Sequence, residues 1–216
     1  PHLLREILRQ RATAEDPSRA DGPSTEPVRV PESVRVVLEQ RLDRLSEHAR
    51  RLLAAASAFP GTFHLDAAAQ CAGIGTDDAL AGLDEALEAK LVRGAGNSDD
   101  YAFWNTLIRQ VLYEALAPAR RAHLHRDLAR AMQSEHESRA AARAGAIAEQ
   151  FWLSRELPGA AAGVEAALTA AERAEVASDL ETAARFLAMT LDLLPSGDPR
   201  RTSVQGRLAR AVSRSG

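Results

Sequence analysis

The chain has 216 residues, 45% of them hydrophobic and 4% aromatic, with a formal net charge of −3. That length holds one large or two small domains, and abundant alanine with few rings favours close-packed helices over a sandwich of bulky strands. The slight negative balance argues against a general nucleic-acid or membrane-surface binder, and the lone Cys71 leaves no intrachain disulfide or thiolate metal cage. No apolar run approaches membrane-spanning length and residues 1–20 carry no signal-peptide pattern, so a cytoplasmic location is expected. The start at Pro1 suggests a piece of a longer polypeptide.

In chain order, Leu3, Leu4, Ile7 and Leu8 form a short amphipathic helix, and a stretch rich in proline, glycine and serine to Val30 reads as a linker. A helix after Pro31 turns Val34, Val37, Leu38, Leu42 and Leu45 inward. Ser46 caps a second helix with Ala49, Leu52, Leu53 and Ala56 inward, ended by Phe59, Pro60 and Gly61. A short helix over Leu65–Ala72 and a Gly73–Gly75 turn lead to a third long helix striped by Leu80, Leu83, Leu87 and Leu91. Its first turn carries Asp77 and Asp78, as the helix dipole prefers. Leu91–Arg93 and Tyr101–Phe103 are β-prone runs on either side of a Gly94, Gly96, Asn97 turn and read as one hairpin.

Helices followed by one small hairpin predict a winged helix, in which the helix before the hairpin would be the DNA reader. From Thr76 to Lys90 that helix carries five carboxylates, Asp77, Asp78, Asp84, Glu85 and Glu88, against one cation, Lys90. A net charge of −4 would repel a phosphate backbone, so no direct DNA contact is expected.

After the hairpin, Leu107, Ile108, Val111, Leu112, Ala115 and Leu116 make the apolar face of another helix. Asn105 and Thr106 stand at its start, where free backbone N–H groups and the positive pole of the dipole can hold a phosphate. Pro118 opens the next helix, which turns Leu124, Leu128, Ala131 and Met132 inward and Arg120, Arg121, Arg126 and Arg130 outward. With Arg109 these arginines form the candidate interaction surface. His123, His125 and Asp127 resemble a metal cluster on paper, but residues two apart point to different sides of a helix, and no metal site is expected.

From Arg139 onward helices alternate with short breaks: one through Ile147, Phe151, Trp152 and Leu153 to Pro158, then Ala160–Ala177, then Leu180–Leu194. Ala171, Ala183 and Leu187 occupy small and large positions of a tetratricopeptide-like helix pair with a period of about 34 residues, and Thr190 stands where that pattern usually has alanine. Small residues at the crossings imply close helix approach, and further repeats are expected beyond them. No phosphate loop, nucleophile elbow, dinucleotide fingerprint or zinc-protease pair is present, so the chain itself is read as non-enzymatic and without a cofactor. The fold class is therefore mainly α: a winged helix with a small hairpin, then a helical repeat region. The units are residues 1–30, 31–118 and 119–216.

The segments PHLLREIL, VPESVRVVLEQRLDRLSEHARRLLAAASAF, DDALAGLDEALEAKLV and YAFWNTLIRQVLYEALAPARRAHLHRDLARAM resemble bacterial signal-transduction ATPases with numerous domains (STAND). In that family a nucleotide-binding module is followed by a winged helix and a tetratricopeptide-like sensor, often with a LuxR-type helix-turn-helix as output. The resemblance implies that Pro1 closes the nucleotide pocket of the parent and that Trp104, Asn105 and Thr106 align with a Met-His-Asp motif whose histidine touches the β-phosphate of ADP. Here that histidine is replaced by Asn105, which offers an amide but no imidazolium. The resemblance further implies ATP or ADP in the full-length parent, contact with its own nucleotide-binding module, and an inducer or protein partner at the repeats. A stand-alone helical-repeat interaction module and a DNA-binding winged helix are the two alternatives.

Overall fold

A computed structural model describes residues 32–96, 99–134 and 143–215. Pro1, the expected terminal helix and linker, Asn97 and Arg139 lie outside the described residues. The described residues are mainly helical with one small antiparallel sheet, and form two hydrophobic cores that share a helix.

The first unit begins with α1 (Glu32–Leu42) and α2 (Glu47–Ala56). Ser46 caps α2 as expected, its hydroxyl accepting from Ala49 N at 3.1 Å, and Ala49, Leu52, Leu53 and Ala56 are fully buried. The chain continues through β1 (Thr62–His64), α3 (Leu65–Ala72), α4 (Thr76–Glu88), β2 (Val92–Gly94), β3 (Asp100–Phe103) and α5 (Thr106–Ala115). The expected hairpin is β2 with β3, and the structure adds a third strand, giving the order β1-β3-β2. Phe63 lies opposite Tyr101 and Val92 opposite Phe103. Three residues after a Pro-Gly turn are too few to show alternation, so β1 exists because β3 offers it an edge. Phe63, on the edge strand β1, is the hub of an aromatic cluster, with ring centroids 5.9 Å from Phe103, 6.0 Å from Tyr101 and 6.2 Å from Phe59.

Two expectations for α4 change. The helix stops at Glu88, so Leu91 does not continue its stripe, and Leu80 is 47% exposed. Gly82 causes the second change: its Cα position lies so close to α2 that an added Cβ would sit 2.9 Å from Ala49 Cα. The face centred on Ala79, Gly82, Leu83 and Ala86 is thus pressed against α2, and Leu80 is rotated away.

The shared helix is α6 (Pro118–Gln133). Leu124 and Leu128 belong to the core of the first unit, Ala129 to that of the second, and Met132 packs against both. The expected division between residues 118 and 119 falls after the first residue of this helix, ahead of the side chains that join the two cores. The second unit continues with α7 (Ala144–Leu153), α8 (Val164–Val176), α9 (Leu180–Leu193) and α10 (Arg200–Ser215). Residues expected as one helix from Ala160 divide into a 3-10 turn, Ala160–Gly163, and α8. The turn brings Gly163 against the Phe151 ring, where a Cβ would collide. α8 and α9 form the expected hairpin, and Ala171, Ala183, Leu187 and Thr190 at their crossings are fully buried. The Thr190 hydroxyl donates to Phe186 O at 2.8 Å, so it is buried at the crossing without an unsatisfied polar atom. Among the described residues no helix is long and apolar enough to cross a membrane.

Candidate functional site

The start of α5 is built by the sheet and held from behind. Trp104 N donates to Leu91 O at 2.9 Å, which ends the hairpin and aims the chain into the helix. Asn105 is extended (φ −148°, ψ 162°), and its Oδ1 accepts from Ile108 N at 3.0 Å, the N-cap read from the sequence. Ile108, Val111 and Leu112 anchor the helix in the core. In front of them Asn105 is half-buried, Thr106 is exposed, and Trp104 is 55% exposed. The helix end is therefore open to the surface beside a large unpacked aromatic.

The candidate arginines do not form one surface. Arg126, expected to face outward, is 3% exposed. Its Nη2 donates to Ser154 O at 2.9 Å and Leu157 O at 3.1 Å, its Nε to Ser154 Oγ at 3.2 Å, and its Nη1 to Pro158 O. The guanidinium sits at the C-terminal, negative end of α7, where orphan carbonyls need donors. Burial lowers its pKa, but arginine keeps its proton. Arg121 Nε donates to Leu116 O at 2.9 Å and the group lies over the Tyr113 ring. Arg109 Nη1 donates to Ser57 O at 3.1 Å, tying α5 to the end of α2. Arg120 and Arg130 remain exposed, ten residues or about 15 Å apart along α6.

His123 is exposed and His125 buried, so the two do not converge, and the described residues hold no cluster arranged for a metal. His125 has a different task. Its Nδ1 lies 2.6 Å from Gln150 Oε1 on α7 and its Nε2 lies 2.8 Å from the Tyr113 hydroxyl on α5. The amide oxygen only accepts, so Nδ1 carries the proton and Nε2 accepts from the tyrosine. Burial is the main cause holding the imidazole pKa below its ordinary value, which keeps the ring neutral. Neither this bridge nor the Arg126 cap was found from the sequence; Gln150 inside the apolar run of α7 is the one local sign that a buried polar partner was needed.

Comparison with protein-family models, curated proteins and solved structures gives no match to the chain.

On α4 the carboxylates face solvent as the acidic pattern implied. Asp77, Asp84 and Glu88 are exposed, Asp78 pairs with His48 at 3.0 Å, and Glu85 accepts from Ser46 N at 2.8 Å, the contact that holds its carboxyl below the usual range. Cys71 is buried, and desolvation followed by the nearby Asp127 pushes its thiol up to about 11, so it is no nucleophile near neutral pH. A groove of about 870 Å³ runs between the β1–α3 side and α6–α7, with Asp66 and Asp99 on one wall and Met132 and Arg143 on the other. Asp99 and Arg143 each already have an interaction partner.

Proposed function

We propose that this chain is a non-catalytic regulatory segment of a STAND-type ATPase or related transcription regulator: a winged helix that reads nucleotide state and passes it to a tetratricopeptide-like sensor. The observation that carries the reading is the start of α5, a capped helix end left open beside the exposed Trp104. A surface of this kind suits docking against another module of the same polypeptide, with phosphate before the free amides. Two features support a relay. Tyr113 lies on the same helix as that open end and is joined through His125 to Gln150 of α7, and Arg126 clamps the end of α7 to α6. The exposed carboxylates of α4 favour this reading over contact with duplex DNA.

Asn105→Asp tests it. A carboxylate caps the helix as well as the amide does, so this chain should keep its stability, whereas Asn105→Ala should cost about 1 kcal/mol. In the full-length parent the aspartate would face phosphate, and ADP should dissociate faster from Asn105→Asp than from the wild type. An unchanged ADP off-rate would count against nucleotide sensing and favour a helical-repeat module without a nucleotide partner.

A further inference from the structure

A pocket of about 380 Å³ opens where the end of α8 and the start of α9 meet the last turns of α10. α10 carries Arg207, Arg210 and Arg214 at spacings of three and four residues, which places three guanidinium groups along one stripe facing this pocket. Arg207 is committed to α8: its Nε and Nη2 bind Glu175 at 3.2 and 2.9 Å, with Glu172 3.8 Å from Nη1. Arg210 and Arg214 make no ion pair with any described residue. Leu180 and Ala211 supply an apolar floor, and the exposed Ser178 stands at the rim with a left-handed backbone, φ 60°. Three arginines against the single lining carboxylate of Glu175 give the pocket a net charge of +2, in a chain whose overall charge is −3.

We propose that this pocket binds a small organic dianion, two acidic groups joined by a short apolar spacer. The two uncommitted arginines stand one helical turn apart, with Cβ atoms about 5–6 Å from each other, and each guanidinium offers a two-pronged donor face to one acidic group. The spacer lies over Leu180 and Ala211, and Glu175 forms a far wall that repels a third acidic group. The volume falls in the range of small-ligand sites. Binding rests on the pocket alone; that the ligand acts as an inducer rests on the proposed relay, and the two fail separately.

The test is calorimetric titration of this chain in low-chloride buffer with glutarate as the probe, glutaramide as its neutral counterpart and inorganic phosphate as a single-centre anion. Saturable one-to-one binding of glutarate is expected, with no binding of glutaramide and weaker binding of phosphate. Arg210→Gln with Arg214→Gln should weaken glutarate at least about tenfold through loss of both charge-assisted contacts. Both side chains are exposed, so the melting temperature of the double variant should match the wild type. Absence of saturable glutarate binding, survival of that binding in the double variant, or phosphate or glutaramide binding as tightly as glutarate overturns the assignment. ADP retention by the parent is a separate readout that none of these results enters.

Discussion

Arg126 shows how one side chain can hold two helices in place. It is buried with carbonyl oxygens as acceptors, and its charge sits at the negative pole of α7. Arg126→Met should cost about 2–4 kcal/mol in urea unfolding with an unchanged slope, because the carbonyls of Ser154, Leu157 and Pro158 lose their donors. Arg126→Lys should fall between the wild type and that variant, since a single ammonium cannot reproduce the fork. His125 makes a second prediction. Its folded pKa lies below the ordinary 6.5, so in acid the unfolded chain takes up a proton that the folded chain refuses. This contribution is constant above pH 6.5 and is lost as the pH falls from there toward the folded pKa. His125→Gln should remove that part of the slope, measured as stability against pH for the two proteins side by side.

At the level of elements, helix ends decide what the helices can bury. Three of them close alike, with the residue after the C-cap left-handed or a left-handed cap itself: Gly73 after α3, Lys90 after α4 and Ser178 after α8. In each, a pair of tight backbone bonds returns the chain to the helix, as in Leu91 N to Ala86 O and Asp179 N to Ala174 O. Only Gly73 announces itself in the sequence. Lys90 and Ser178 take a conformation that side-chain bulk disfavours, because the next residue along the chain, Leu91 in the core or Asp179 capping α9, requires the turn. Gly82 sets the distance between α2 and α4. Gly82→Ala should destabilise by about 1–3 kcal/mol despite higher helix propensity, since its Cβ meets the backbone of Ala49 and no flexible side chain can yield. Thermal and urea unfolding of the variant would check the sign.

For the whole molecule, the shared helix α6 links the stability of the two units. Leu124 and Leu128 complete one core while Ala129 enters the other, so neither unit keeps its core when α6 detaches. Unfolding should therefore be a single transition. The two tryptophans make this measurable: Trp104 stands at the edge of the first unit, and Trp152, whose Nε1 donates to Asp192 at 2.8 Å, stands in the second. Fluorescence of Trp104→Phe and Trp152→Phe should each give one denaturation curve coincident with circular dichroism. Two separated midpoints would mean that α6 does not couple the units.

What the sequence determined by itself is local. Apolar spacing placed the long helices, and Ser46 and Asn105 were legible as caps because the amide that each satisfies lies three residues away. The small residues Ala171 and Ala183 foretold the tight α8–α9 crossing for a similar reason, since a short connection leaves the two helices little choice of partner. The tertiary structure decided the third strand, the inward turn of Arg126 and the bridge through His125. Arg126 and Arg130 lie only about 40° apart around α6, yet one is buried and the other exposed. The loop from Ser154 to Pro158 closes over one of them alone, and its carbonyls lie 28 to 32 residues along the chain, beyond the reach of any local periodicity.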